Sequence, residues 1–173
     1  MKIKNDPIMK FLTIIGLVCL LGFTSCTYTR YYIVRHAEKL DNSDDPPLND
    51  AGFRRAQTLA DTLKNKNIKR IYISDKRRTA QTAKPTAGLF SLEPIVIPED
   101  QTNNLIARLK NENRKNLLVV RHSPEIPLIV NALSPSDQIE PIGNEFHLMF
   151  LVTRRVFLWQ RKIFLKRLTY GEQ

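Results

Sequence analysis

The sequence is poor in the residues that staple or metallate small folds. It has two cysteines, Cys19 and Cys26. Cys19 falls inside an apolar run, so Cys26 alone remains beyond it and a disulfide scaffold is excluded. There are three histidines. His36 and His122 lack a third Cys, His, Asp or Glu partner at metal-like spacing, whereas a closed metal site needs three or four ligands. Each also follows an arginine, Arg35 and Arg121, which would repel a cation. No nucleic-acid-binding motif and no low-complexity segment is present. Acidic residues are absent from Phe146 to Gly171.

What is present bounds the class. The 173 residues suit one domain, and 42% hydrophobic content suffices for a globular core. A net charge of +10 favours anionic partners such as phosphoesters or acidic lipid headgroups, unless it is simply a well-solvated basic surface.

Lys2, Lys4 and Lys10 precede an apolar run from Phe11 to Phe23. This run is short for a membrane span and fits the apolar region of a signal peptide. It ends in Phe23-Thr24-Ser25-Cys26, which resembles the lipobox of a bacterial lipoprotein, although that pattern prefers Leu where Phe23 stands. The expectation is a signal segment over residues 1–25, lipidation at Cys26 (with a plain thiol as the alternative) and a single domain over 26–173. Removal of Lys2, Lys4, Lys10 and Asp6 would leave a charge of +8. The protein is thus expected to be exported, either membrane-anchored or periplasmic.

Twice, an apolar run ends in Arg-His: Ile33-Val34-Arg35-His36 and Leu117-Leu118-Val119-Val120-Arg121-His122. Such β-branched runs read as buried strands. In an open α/β sheet, ligands bind beyond the carboxyl ends of the strands. If the two strands are parallel neighbours, both histidines face one crevice. Further strands are expected at 69–73, 94–97, 146–153 and 163–170. Helices are expected at 51–64, capped by Asn49-Asp50, at 76–89 with an interruption at Pro85, at 104–113 and at 127–133. Strands alternating with helices imply an α/β three-layer sandwich with a mostly parallel sheet.

Imidazole is a competent nucleophile near neutral pH and can accept a phosphoryl group covalently. Fixed arginines stabilise the charge on the transferring group. Arg35, Arg77, Arg78 and Arg121 are the candidates, and a helix N-terminus near Arg77 and Arg78 adds to the preference for an anion.

Here the residues resemble a known family. Val34-Arg35-His36-Ala37-Glu38-Lys39 is similar to the signature of the histidine phosphatase superfamily, in its phosphoglycerate mutase-like branch. Pro47-Leu48-Asn49-Asp50-Ala51-Gly52 is similar to that family's P-L-T-x-x-G. The stretch from Ile71 to Ala83 is similar to its S-x-x-x-R-x-x-Q-T-A segment, and that from Leu117 to Leu133 to its V-V-G-H-S strand and following helix. The four motifs occur in the family's order. The resemblance implies a mixed six-stranded sheet, no metal, His36 as the phosphorylated nucleophile, Arg35 and Arg78 as phosphate ligands, and His122 completing the pocket.

Arg121 departs from the family's small residue before the second histidine. There it would either add a phosphate contact, beside Ser123, or crowd the pocket. Glu99 and Asp100 are the candidates for the general acid, and both also read as solvated loop charges, which is the preferred reading. Glu38 reads as a structural or rim residue, and His147 as a half-buried histidine on a strand.

The expected activity is phosphomonoester hydrolysis on a phosphorylated small molecule. Mutase activity is disfavoured by the short chain. The alternatives are phosphohistidine removal from a protein, or a degenerate member of the fold that only binds anions. The basic segment after Phe146 reads as a strand pair, with a membrane-surface segment as the alternative. Its turn lacks Gly, Asn or Asp.

Overall fold

The central strand carries the sequence Thr-Tyr-Thr-Arg-Tyr-Tyr-Ile-Val-Arg, rich in β-branched and aromatic residues that suit a pleated surface. In the computed structural model this is β1 (Thr27–Arg35). The structure describes residues 26–171 together with Pro7, Ile8 and Phe11; the expected signal segment, with Cys19, otherwise lies outside the described residues. No described helix is long and apolar enough to cross a membrane.

The other strands are β2 (Ile68–Ile73), β3 (Ile95–Val96), β4 (Asn116–Arg121), β5 (Leu148–Phe157) and β6 (Gln160–Thr169). They form one six-stranded sheet in the order β3-β2-β4-β1-β5-β6. The first four run parallel, β5 runs antiparallel to β1, and β6 runs antiparallel to β5. β1 and β4 are parallel neighbours with Arg35 opposite Arg121. The two Arg-His pairs therefore leave the sheet side by side.

Helices cover both faces. On one lie α1 (Asp50–Leu63) and α2 (Arg77–Phe90), which bury Leu59, Leu63, Ala83 and Ala87 against Tyr32, Val34, Ile71 and Val120. On the other lie α3 (Thr102–Asn111) and α4 (Glu125–Leu133), whose Leu105, Leu109, Ile129 and Leu133 meet Tyr31, Ile33, Val119 and Phe150. This is the expected three-layer mixed α/β sandwich. Burial of Leu59 or Leu63 contributes about 1.5–3 kcal/mol each.

Local chemistry sets the element ends. The Asn49 side chain accepts a hydrogen bond from Gly52 N at 2.8 Å and caps α1. Gly52 is required there because a Cβ would lie 2.2 Å from the Glu38 carbonyl oxygen. The interruption expected at Pro85 does not occur: α2 runs through it. Burial of Ala83, Thr86 and Ala87 on the sheet outweighs the one lost backbone bond. The basic C-terminal segment forms the β5–β6 strand pair, joined by Leu158-Trp159, with Leu158 in the left-handed region at φ 55°. His147 is half-buried but lies in the turn before β5 rather than on the strand.

Candidate active site

Three parallel strands end at one edge of the sheet, and the residues beyond them meet there. His36 follows β1, Ser74 follows β2 and His122 follows β4. The two imidazole rings lie 5.2 Å apart between centroids, tilted by 56°. Both histidines are buried.

His36 Nδ1 lies 2.7 Å from the Ala37 carbonyl oxygen, an acceptor, so Nδ1 carries the proton and donates it. Nε2 keeps its lone pair. The same dipeptide is held from outside, because Ala37 N donates to Thr82 Oγ at 2.9 Å. His122 Nε2 lies 2.9 Å from Ser74 Oγ and 3.4 Å from Glu99 Oε2. Its Nδ1 is buried without a partner among the described residues, as is Arg35 Nε. Buried polar atoms are almost always satisfied, so two unpaired ones at one edge mark a place where a polar ligand would fit.

Arginines frame the opening. Arg35 Nη1 donates to Gly143 O at 2.7 Å and to Asn144 Oδ1 at 3.3 Å, and its guanidinium stacks 4.2 Å from the Phe146 ring. Arg78 lies between carboxylates, 3.8 Å from Asp45 and 3.9 Å from Glu99. Ser123 stands at the rim, where its hydroxyl reaches Gly143 O at 3.4 Å. The β2–α2 link and α2 frame this edge: Ser74 orients His122, Thr82 holds Ala37, and Gln81 accepts from Leu48 N at 2.7 Å.

Several sequence expectations need correction. Arg121 does not line the opening. Its side chain is 0% exposed; it pairs with Glu125 and donates to the Ile73 and Pro98 carbonyls at 3.3 and 3.1 Å. It therefore neither contacts a ligand nor crowds one, because Glu125 of α4 and the Pro98 carbonyl before α3 take up its guanidinium. Arg77 is exposed, and its amide is occupied by Asp45 Oδ1 at 2.9 Å, so the start of α2 is already capped by a carboxylate. Glu99, preferred above as a loop charge, stands beside His122, Arg78 and Lys76, although 43% of its side chain remains exposed. Asp100 is exposed and has no bond to the site. Glu38 is tied to Arg55 at 2.7 Å and serves the frame. Asp45 was missed, since it sits in a polar loop; its only sequence signal is the Pro46-Pro47 pair that stiffens the chain after it.

No group of three or more His, Cys, Asp or Glu that could hold a metal occurs among the described residues. The electrostatics suit an anion instead. Burial first, then the Arg35 and Arg78 charges, hold His36 down to about pKa 4, against the raising effect of the Ala37 carbonyl. Burial and the Arg78 charge hold His122 at about 3. Both rings are neutral at pH 7.

This has a consequence for stability. Unfolding frees each ring to take a proton below its ordinary value of 6.5. Between pH 6.5 and about 4 the unfolded chain binds more protons, so stability falls as pH falls, by on the order of 1.4 kcal/mol per pH unit for each histidine. The urea midpoint should be flat above pH 7 and drop through this window. Replacing both histidines with Gln should flatten the drop.

The family model "Histidine phosphatase superfamily (branch 1)" matches residues 31–101, which include His36, Ser74, Arg78 and Glu99. These matches support the histidine phosphatase superfamily. The chain is 36% identical over 81 residues to the "Probable phosphoglycerate mutase GpmB" of Yersinia pestis (strain Pestoides F), a match covering 43% of this chain and 38% of that protein. The chain thus spans well under half the length of the curated relatives it matches.

Among solved structures, the protein histidine phosphatase SixA complexed with tungstate superposes with a TM-score of 0.60 at 21% identity, covering 81% of this chain and 96% of that one. A mycobacterial glucosyl-3-phosphoglycerate phosphatase in complex with VO3 gives a TM-score of 0.64 at 15% identity, covering 82% and 99%. Likeness at these identities carries the fold. Phosphatases and mutases are both among the superfamily's similar members.

Proposed function

We propose that this chain hydrolyses phosphomonoesters through a phosphohistidine formed on His36. The observation that carries the reading is the 2.7 Å bond from His36 Nδ1 to the Ala37 carbonyl, which leaves a lone pair on Nε2 beside His122 and two arginines. Nε2 attacks phosphorus and the bond to the leaving oxygen breaks. The charge arising on the ring is stabilised through Nδ1–H by the Ala37 carbonyl. Arg35 and Arg78 hold the non-bridging oxygens, with His122 donating a further bond and Ser123 at the rim. Gly143 and Asn144, which now occupy Arg35, are weak neutral acceptors that a phosphate dianion outcompetes.

Glu99 supplies the proton to the leaving oxygen. In the second half it takes a proton from water, which attacks phosphorus and releases His36. The two features that favoured a binding-only module, Arg121 near the ligand and no general acid, weigh less with Arg121 taken up by Glu125 and Glu99 beside His122.

The test is phosphate release from an aryl phosphate, paired with an alkaline quench that traps a labelled phosphoenzyme. Release of inorganic phosphate separates a hydrolase from a mutase, which returns the phosphoryl group to its substrate. No release and no trapped intermediate between pH 4 and 8 would overturn the reading. Because His36 is held neutral down to about pH 4, the acid limb of kcat/KM should lie well below 6.5.

Glu99→Gln should lower kcat by about 10²–10⁴-fold with an alkyl phosphate, and far less with nitrophenyl phosphate, whose leaving group needs no proton. Equal losses on both substrates would remove Glu99 from the acid role. In the same reading residues 1–25 serve export and Cys26 carries a lipid. A Cys26→Ser chain that stays in the membrane fraction would contradict the lipid anchor.

A further inference from the structure

We propose that the tip and open face of the β5–β6 hairpin form a docking surface for an anionic lipid bilayer, with the histidine site held at the opposite end of the sheet. The tip exposes three consecutive apolar residues, Phe157, Leu158 and Trp159, and Trp159 is 84% exposed. Hairpin turns in water favour Asn, Asp and Gly, which tolerate positive φ; here Leu158 takes φ 55° instead.

The same composition continues along one face. Side chains alternate along a strand, and the register sets Lys162 opposite Arg155 and Phe164 opposite Thr153. Arg155, Phe157, Lys162, Phe164 and Lys166 therefore share a face. Across β1 this face is continued by half-exposed Tyr28, opposite Arg155. The α1–α2 layer leaves it open: Phe157, Phe164 and Leu168 all remain exposed. Aromatic residues interleaved with long cationic side chains match the bilayer interface, where rings sit at headgroup depth and Lys and Arg reach the phosphates.

Charge and chain path select the occupant. The hairpin carries no carboxylate over residues 146–171 to repel an anionic surface. Thr27 pairs with Val156, so the chain enters the domain beside the tip, and Arg155 Nε donates to Cys26 Sγ at 2.9 Å. In the sequence the apolar run Phe11–Phe23 ends three positions before Cys26. A lipid on Cys26, or that run while it is still uncleaved, would hold the tip at the membrane and raise its effective concentration there. β1 then runs nine residues away from the surface, about 30 Å at roughly 3.3 Å per residue, which leaves His36 open to soluble substrate. β6 is also an edge strand, so a second copy is the competing occupant.

Trp159 is the chain's one tryptophan and reports on the tip directly. The full chain is mixed with vesicles of phosphatidylglycerol and phosphatidylcholine, with and without bromine on the acyl chains, and with phosphatidylcholine alone. The expected result is a blue shift and at least half of the Trp159 emission quenched by brominated anionic vesicles. Lys162→Glu with Lys166→Glu should raise the lipid needed by roughly tenfold or more, with phosphate release unchanged. A chain that floats with anionic vesicles while Trp159 stays unshifted and unquenched overturns the proposal, as does a chain that does not float. A shift that grows with protein concentration without lipid assigns the face to a second copy and overturns it too.

Discussion

His36→Ala should abolish phosphate release, with a loss of at least about ten-thousand-fold in kcat, and leave no alkali-stable phosphoenzyme. The reason is that one atom carries the proposed covalent step. Removing a nucleophile costs nearly the whole of that step, whereas removing a positioning group costs a part of it. Arg78→Ala should therefore fall short of this loss, raising KM and lowering kcat while a phosphoenzyme still forms. His122 stands 5.2 Å away but its Nε2 already faces Ser74 and Glu99, so it is not expected to substitute for His36. Thermal unfolding at pH 7.5, where both rings are neutral, should show His36→Ala still folded. A variant that keeps more than about one hundredth of the activity would remove His36 from the nucleophile's place.

Glu125→Ala should destabilise the fold by about 3–5 kcal/mol, because it strands the fully buried Arg121 guanidinium. Glu125 accepts from Arg121 Nε at 2.9 Å and from Thr102 Oγ at 2.7 Å, and both partners of the ion pair are buried. The loss is a large fraction of the roughly 5–15 kcal/mol available to a domain, so a partly unfolded population is expected at 37 °C. Replacing both partners together, Arg121→Met with Glu125→Leu, removes the uncompensated charge and should recover most of the midpoint in urea unfolding. That recovery separates a stranded charge from simple loss of packing. Arg121→Gly, which would bring the segment closer to the family's pattern, should lower stability rather than raise activity. If Glu125→Ala unfolds within 1 kcal/mol of the parent, the buried pair does not hold this layer.

Local pattern made much of this legible. The β-branched runs announced β1 and β4, Asn49 announced the start of α1, and the alternation of strands and helices announced the layers, because each depends on neighbours within a few residues. Pro85 misled, since its local cost is outweighed by the face that α2 buries. The charges near the site were harder to read. Arg35 and Arg121 occupy matching positions before a histidine and are paired in register, yet one reaches the opening and the other is sealed under it. Both side chains leave the same face of the sheet; the difference lies in what packs over each, Glu125 and the Pro98 carbonyl on Arg121 and the Gly143–Asn144 loop beside Arg35, and no short window contains that information.

By itself, the sequence determined the motif order, the Arg-His repeat, the basic balance and the lack of a disulfide or metal framework, since these are facts of composition and spacing. The tertiary structure alone decided that Glu99 meets His122 across 23 residues, that Asp45 caps α2 beside Arg78, and that Arg121 belongs to Glu125. It also decided that the hairpin tip lies beside Cys26. Those contacts join segments whose encounter is set by the parallel crossover of β1, β2 and β4 and by the antiparallel return of β5. Long-range packing of this kind follows from the free energy of the whole core rather than from any residue's own preference.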